Sequence, residues 1–122
     1  MVVDDEEAIQ QIARATLENY GYRVLSAING VEAVTLYRRH GSEVKAVLLD
    51  STMPLMDGAA TLRVLRQIAP DVSILGVSGL DSETGFSIGP DGVQAFLTKP
   101  YTAQELLVKL NAVLRGETVS GS

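Results

Sequence analysis

Val47-Leu48-Leu49-Asp50-Ser51-Thr52-Met53-Pro54-Leu55-Met56-Asp57-Gly58 carries much of what this chain says about its architecture. An apolar run stops on one carboxylate, passes a short loop, and resumes at an Asp-Gly pair suited to opening a helix. The run from Val44 to Leu49 is apolar at nearly every position, the pattern of a strand covered on both faces of a parallel sheet. A carboxylate at the end of such a strand is costly unless a cation or a positive side chain neutralises it. The chain must then bring such a group to Asp50.

On the N-terminal side, Met1-Val2-Val3 reads as the end of a strand that stops at Asp4-Asp5-Glu6-Glu7. Ile9, Ile12, Ala13, Leu17 and Tyr20 recur at helical spacing, and Gly21 stands where a helix C-terminus favours glycine. Tyr22 to Ala27 reads as a second strand. Asn29 with Glu32 resembles a capping box, and the helix after it is expected to turn Val31, Val34 and Tyr37 inward and to end near His40-Gly41.

Downstream, Asp57 is an N-cap for a third helix with Leu62, Leu65, Ile68 and Ala69 on one stripe, ended by Pro70. Val72 to Val77 is a fourth apolar run leading to Ser78-Gly79. Alternation calls for a helix over 81–93, but Gly85, Gly89, Pro90 and Gly92 make it short or irregular. Ala95 to Thr98 is a fifth strand ending at Lys99-Pro100. Thr102 with Glu105 forms a second capping box, and Leu106, Leu107, Leu110, Val113 and Leu114 give the last helix its apolar stripe. The reading is one domain over 1–115, with 116–122 a tail or linker stub. Five strands alternating with helices make an α/β fold, doubly wound around a parallel sheet.

Composition narrows the classes. The 122 residues suffice for one core. A net charge of -5 argues against binding a phosphate backbone, so no nucleic acid is expected on this domain. No apolar run reaches the length of about 20 residues that a membrane span needs, and no membrane contact is expected. The absence of cysteine excludes a disulfide framework and fits a cytoplasmic setting.

Parallel strands end on one edge, and ligands of such sheets bind there. The strand ends bring Asp4, Asp5, Asp50, Ser78 and Lys99 to that edge. Three carboxylates together call for a cation, and all-oxygen donors suit Mg2+, with Mn2+ as an alternative ion. Lys99 and Ser78 then suit phosphoryl oxygens, a point charge and a hydroxyl donor. The chemistry so implied is phosphoryl transfer to a carboxylate. Each residue also has a plainer reading. The acidic run alone is explained by a helix N-terminus, Ser78 by a turn, and Lys99 by a solvated strand end. Asp50 after a buried run is the hardest to explain so, and the four positions together favour a site. His40 reads as a surface residue at a helix end, Arg38-Arg39 as a solvated helix face, and Phe96 as core packing.

The ordered set Val2-Val3-Asp4-Asp5-Glu6, Asp50, Met53-Pro54-Leu55-Met56-Asp57-Gly58, Ser78 and Lys99-Pro100 resembles the CheY-like receiver domain of two-component response regulators, from Met1 to about Leu114. The resemblance implies a flavodoxin-like sheet of order 2-1-3-4-5, a Lys-Pro bond that is often cis, and Asp50 as phospho-acceptor. It implies Mg2+ on Asp5, Asp50 and the Thr52 carbonyl, with Asp4 bound through water. Ser78 would bond the phosphoryl group, Lys99 would pair with Asp50 and then with the phosphate, and Phe96 matches the switch aromatic. Ser51, Thr52 and Leu80 take the places that tune phosphate lifetime. The partner implied is a histidine kinase or a histidine phosphotransfer domain.

Ala95 to Thr102 and Val77-Ser78-Gly79-Leu80 are similar to receivers of hybrid sensor histidine kinases. The early acidic pair suggests a domain cut from a longer protein, with Met1 an added start. The irregular 81–93 segment leaves open whether the domain associates with itself through that surface. On this reading the domain is no enzyme on its own, catalysing only its own phosphorylation and dephosphorylation. The alternatives are a pseudo-receiver that only binds proteins and a small Mg2+-dependent phosphatase. The second is disfavoured because Thr52 stands where an Asp-x-Asp motif needs its second Asp. A flavodoxin-like cofactor carrier is disfavoured because carboxylates follow Val3 in place of a phosphate-cradling loop.

Overall fold

The computed structural model describes residues 1–79, 86–89 and 91–117. Five parallel strands form one sheet in the order β2-β1-β3-β4-β5: β1 Val2–Val3, β2 Ser26–Ala27, β3 Ala46–Asp50, β4 Ser73–Ser78 and β5 Ala95–Thr98. The described helices are α1 Glu7–Asn19, α2 Gly30–His40, α3 Gly58–Ile68 and α4 Ala103–Leu114, with a 3-10 turn at Gly41–Glu43. The expected sheet order holds.

Alternation along the strands sorts the apolar residues into two cores. Val3, Val47, Leu49 and Ile74 pack with Ala33, Leu62 and Leu65 of α2 and α3. Val2, Leu48, Leu75, Val77 and Leu97 pack on the other face with Ala13 and Leu17 of α1 and Leu106, Leu110 and Val113 of α4. Both faces are covered, as the apolar third strand requires.

Helix ends follow the capping residues read from the sequence. Asp57 accepts from the Ala60 N–H at 2.9 Å, and Thr102 and Glu105 form a complete capping box. Asn29 accepts from the Glu32 N–H, while Glu32 reaches past it to the Ile28 N–H. Gly21, at φ +89°, takes the left-handed turn after α1.

Several expectations are corrected. The second strand is Ser26–Ala27, the residues paired with Val2 and Val3 of β1; Leu25 contributes only its carbonyl, to the Val2 N–H at 2.8 Å. The third strand begins at Ala46, where pairing with β4 starts, and includes Asp50. Ile12 and Tyr20 of α1, and Val31 of α2, face solvent; Gln10 and Ala33 take inward positions on those helices. Ile68 is at the margin of its stripe and partly exposed, while Thr61 is buried. The acidic run is not a first-turn cluster: Asp4 and Asp5 precede the Glu6 cap, and only Glu7 lies in the first turn. Of the 81–93 segment, residues 86–89 and 91–93 carry no helix, and Ile88 bridges Val93 in parallel. Residues 81–85 and 90 of that segment, Leu80, and 118–122 of the tail lie outside the described residues.

Candidate functional site

The carboxyl ends of β1, β3 and β5 place Asp4, Asp50 and Lys99 together. Asp4 and Asp50 are buried, at 2% and 4% exposure, whereas Asp5 is exposed. Each of the three aspartates has a carboxylate oxygen within 4.8 Å of those of the other two. The Lys99 ammonium lies 2.9 Å from Asp4, 2.9 Å from Glu6 and 3.4 Å from Asp50. The Lys99-Pro100 bond is cis, and the Lys99 N–H donates to the Ser78 carbonyl at 2.7 Å, tying the end of β5 to that of β4.

One lysine facing several carboxylates leaves the cluster short of positive charge. Burial and the nearby Asp4 charge push the Asp50 carboxyl up to about 6, against the Lys99 charge and the Thr52 N–H, which favour its ionised form. Burial likewise raises Asp4, although the Glu6 N–H and Lys99 hold it down. Burial works against the Lys99 ammonium, but its bonds to Glu6 and Asp4 and the charges of Asp4 and Asp50 outweigh it, raising its pKa. Lys99 therefore stays charged through the physiological range.

The other predicted residues have distinct places. Ser78 is buried at the end of β4, one step beyond Val77, the ladder partner of Asp50. The Ser51 N–H donates to the Val77 carbonyl, yet the buried Ser51 hydroxyl has no hydrogen-bond partner among the described residues. Thr52 is exposed and its N–H bonds the Asp50 carboxylate. Phe96 is half-buried on β5, stacked on Phe86 with ring centroids 6.4 Å apart.

Three contributors were not singled out from the sequence. Glu6 pairs with Lys99, and its position two residues after Asp4 was the available signal. Gln10 donates from one amide nitrogen to the carbonyls of Val2, Asp4 and Ala27, fixing α1 to the ends of β1 and β2. A glutamine on an otherwise ordinary helix gives no sequence sign of this. Tyr101 follows the cis proline, and burial beside Asp4 pushes its hydroxyl up to about 12.

A parallel sheet of this order, with buried aspartates and a lysine at its carboxyl edge, defines the receiver class of α/β proteins, and comparison with known proteins agrees. The family model described as response regulator receiver domain matches residues 1–111, so the chain belongs to that family of two-component systems. It is 38% identical over 116 residues to the response regulator MprA of Mycobacterium sp. (strain KMS), covering 94% of this chain and 50% of that protein. It is 35% identical over 116 residues to the sensor kinase CckA of Brucella abortus (strain 2308), covering 93% of this chain and 12% of that protein. A crystal structure of a response regulator receiver domain protein from Clostridium thermocellum superposes with a TM-score of 0.86 at 28% identity, covering 94% of this chain and 92% of that one. The chain thus spans about half the length of MprA and a small part of CckA.

Proposed function

We propose that this receiver domain accepts a phosphoryl group from a phosphohistidine onto Asp50 and changes conformation in response. The observation that carries the reading is a buried carboxylate at a strand end, held among two further aspartates and a lysine. A structural role does not call for so costly a grouping.

The donor set fits Mg2+: three hard carboxylate oxygens converge, and their charge exceeds what Lys99 neutralises. Asp5, Asp50 and the Thr52 carbonyl would hold the ion directly and Asp4 through water. When bound, Mg2+ supplies charge neutralisation to phosphoryl oxygens.

The protein's own groups do the remaining work. An ionised Asp50 oxygen attacks phosphorus, the bond from phosphorus to the histidine nitrogen breaks, and its electron pair stays on the imidazole. Lys99, already paired with Asp50, moves its charge onto the new phosphoryl oxygens. Ser78 donates its hydroxyl to them and Phe96 follows as the switch aromatic. Ser51, Thr52 and Leu80 govern how readily water reaches the acyl phosphate. Positioning and charge account for most of the catalysis in such transfers.

The partner is a histidine kinase or a histidine phosphotransfer domain, and the domain turns over no external metabolite. Residues 1–115 form the functional unit. The similarity to CckA supports a place in a hybrid histidine kinase, in the cytoplasm, with kinase activity residing in other segments.

The test is intact-mass measurement after incubation with acetyl phosphate, with and without Mg2+, beside Asp50→Asn. One phosphoryl adduct on the native protein, lost without Mg2+ and in the variant, is expected. A folded native protein with no adduct would show that the domain only binds partners.

A further inference from the structure

Behind the acceptor end of β3 lies an aromatic ring delivered by the connection between β4 and β5. A Cβ placed on Gly58 would lie 2.7 Å from Phe86 Cζ and 2.7 Å from Ser51 Cα, and would also press on the Asp50 carbonyl oxygen. One placed on Gly76 would lie 2.6 Å from Phe86 Cδ2 and 3.3 Å from Phe96 Cδ1. The Phe86 ring is therefore seated against two bare glycine backbones, at the start of α3 and within β4, and is stacked on Phe96. The Gly58 N–H donates to the Ser51 carbonyl, so the seat is tied to the residue next to Asp50. Beside it the buried Ser51 hydroxyl stands without a partner among the described residues.

The described part of the connection that carries this ring, residues 86–89 and 91–94, is tied to itself by backbone hydrogen bonds. The Val93 N–H donates to Ser87 and the Gly89 N–H to Val93, and Gly92 packs so closely on the Ser87 carbonyl that no Cβ would fit. Arg66 of α3 clips the unit in place. Its guanidinium donates to the Gly92 carbonyl at 3.0 and 2.7 Å, to Gln94 Oε1 at 2.7 Å, and to the Val72 carbonyl at 2.7 Å. Gln94 in turn accepts from the Ile74 N–H and donates to the Gly89 carbonyl.

We propose that Phe86, seated on Gly58 and Gly76, is the positioning residue that conveys the state of Asp50 to the described part of the β4–β5 connection, residues 86–89 and 91–94. The inference rests on the phospho-acceptor reading and adds to it a route particular to this chain. Glycine backbones have no side chain to give way, so a shift at Asp50, Ser51 or Gly58 is passed to the ring itself. A ligand state moves an equilibrium only through contacts that differ between states, and the ring supplies those contacts. The Arg66 clip holds Gly92 and Gln94, so displacement of the described residues is led from the Phe86 end.

Hydrogen exchange by mass spectrometry, in Mg2+ with and without acetyl phosphate, tests this beside intact mass on the same samples. In the native protein, phosphorylation is expected to change exchange in peptides spanning Phe86 to Gln94 by about threefold or more. Phe86→Leu keeps an apolar side chain but loses the stacked ring; it should take the phosphoryl adduct while the exchange change falls below about half of the native one. Gly76→Ala crowds the ring and should shift exchange of the same peptides toward the phosphorylated pattern without donor. An adduct with no exchange change in the native protein, or an undiminished change in Phe86→Leu, overturns the proposal and leaves the acceptor reading standing. Absence of the native adduct refutes both.

Discussion

Asp50 sets the energetics of the site at the scale of one residue. Its folded pKa of about 6 exceeds the ordinary carboxyl value of 3.8 because burial and Asp4 oppose its charge. Between these values the folded protein holds more protons than the unfolded chain, so stability falls as pH rises through that window. Asp4 shifts in the same direction, and Lys99 stays protonated throughout. The buried Met1 amine, its pKa lowered to about 6, works the other way above that pH. The Asp50 contribution is therefore read as a difference: in chelator, the stability gain of Asp50→Asn over the native protein is expected to be larger at about pH 7.5 than at about pH 5. Asp50→Asn should stabilise the metal-free protein at neutral pH by ~1–3 kcal/mol, the scale of a carboxyl moved from 3.8 to about 6. A gain that is absent, or equal at both pH values, would contradict the assignment of Asp50 as a strained buried carboxylate. The meeting of Asp4, Asp50 and Lys99 at one edge was legible from the strand ends, but the degree of burial that shifts Asp50 follows from all the strands together.

Among the elements, the crossing of α2 on α3 has the narrowest tolerance. Gly30 opens α2, and a Cβ there would collide with Thr61 Oγ1 and lie 2.8 Å from the Met56 carbonyl oxygen. Helix propensity alone favours alanine over glycine by ~1 kcal/mol. The collision reverses that preference, because Met56 is backbone and Thr61 is held by its bond to the Asp57 carbonyl at 2.7 Å. Gly30→Ala should lower stability by ~1–3 kcal/mol, read from urea unfolding; an unchanged or raised midpoint would show that the interface yields. Sequence reading found α2 through its Asn29 cap but gave Val31 an inward place. Val31 was misplaced because apolar identity does not say which side of a helix meets the sheet, whereas Tyr37 packs on the core as expected. Ala33, small and uninformative by composition, takes the buried position.

For the molecule as a whole, Mg2+ held by the acidic cluster would couple ion binding to folding. Net charge is -5, and much of the local repulsion is concentrated at one edge of the sheet. A divalent ion that binds only the folded form stabilises it by mass action, about 1.4 kcal/mol at ten times its dissociation constant. Mg2+ is therefore expected to raise the thermal midpoint of the native protein in a saturable way, and to do so much less in Asp50→Asn. Equal gains in both proteins would place the ion elsewhere or make the effect one of general screening.

The sequence by itself determined the alternation of strands and helices, the caps at Asp57 and Thr102, and the residues available at strand ends. These follow from local chemistry: hydrophobic period, turn residues and helix-end hydrogen bonding act within a few positions. The sheet order came with the family resemblance and was met in the structure. Only the tertiary structure decided that Glu6 shares Lys99 with Asp4 and Asp50, that Gln10 joins three strand-end carbonyls, and that Phe86 sits on two glycines behind the acceptor strand. Each of these depends on which backbone lies across the gap. That is fixed by packing two cores against one twisted sheet, a property of the whole chain that no local stretch contains.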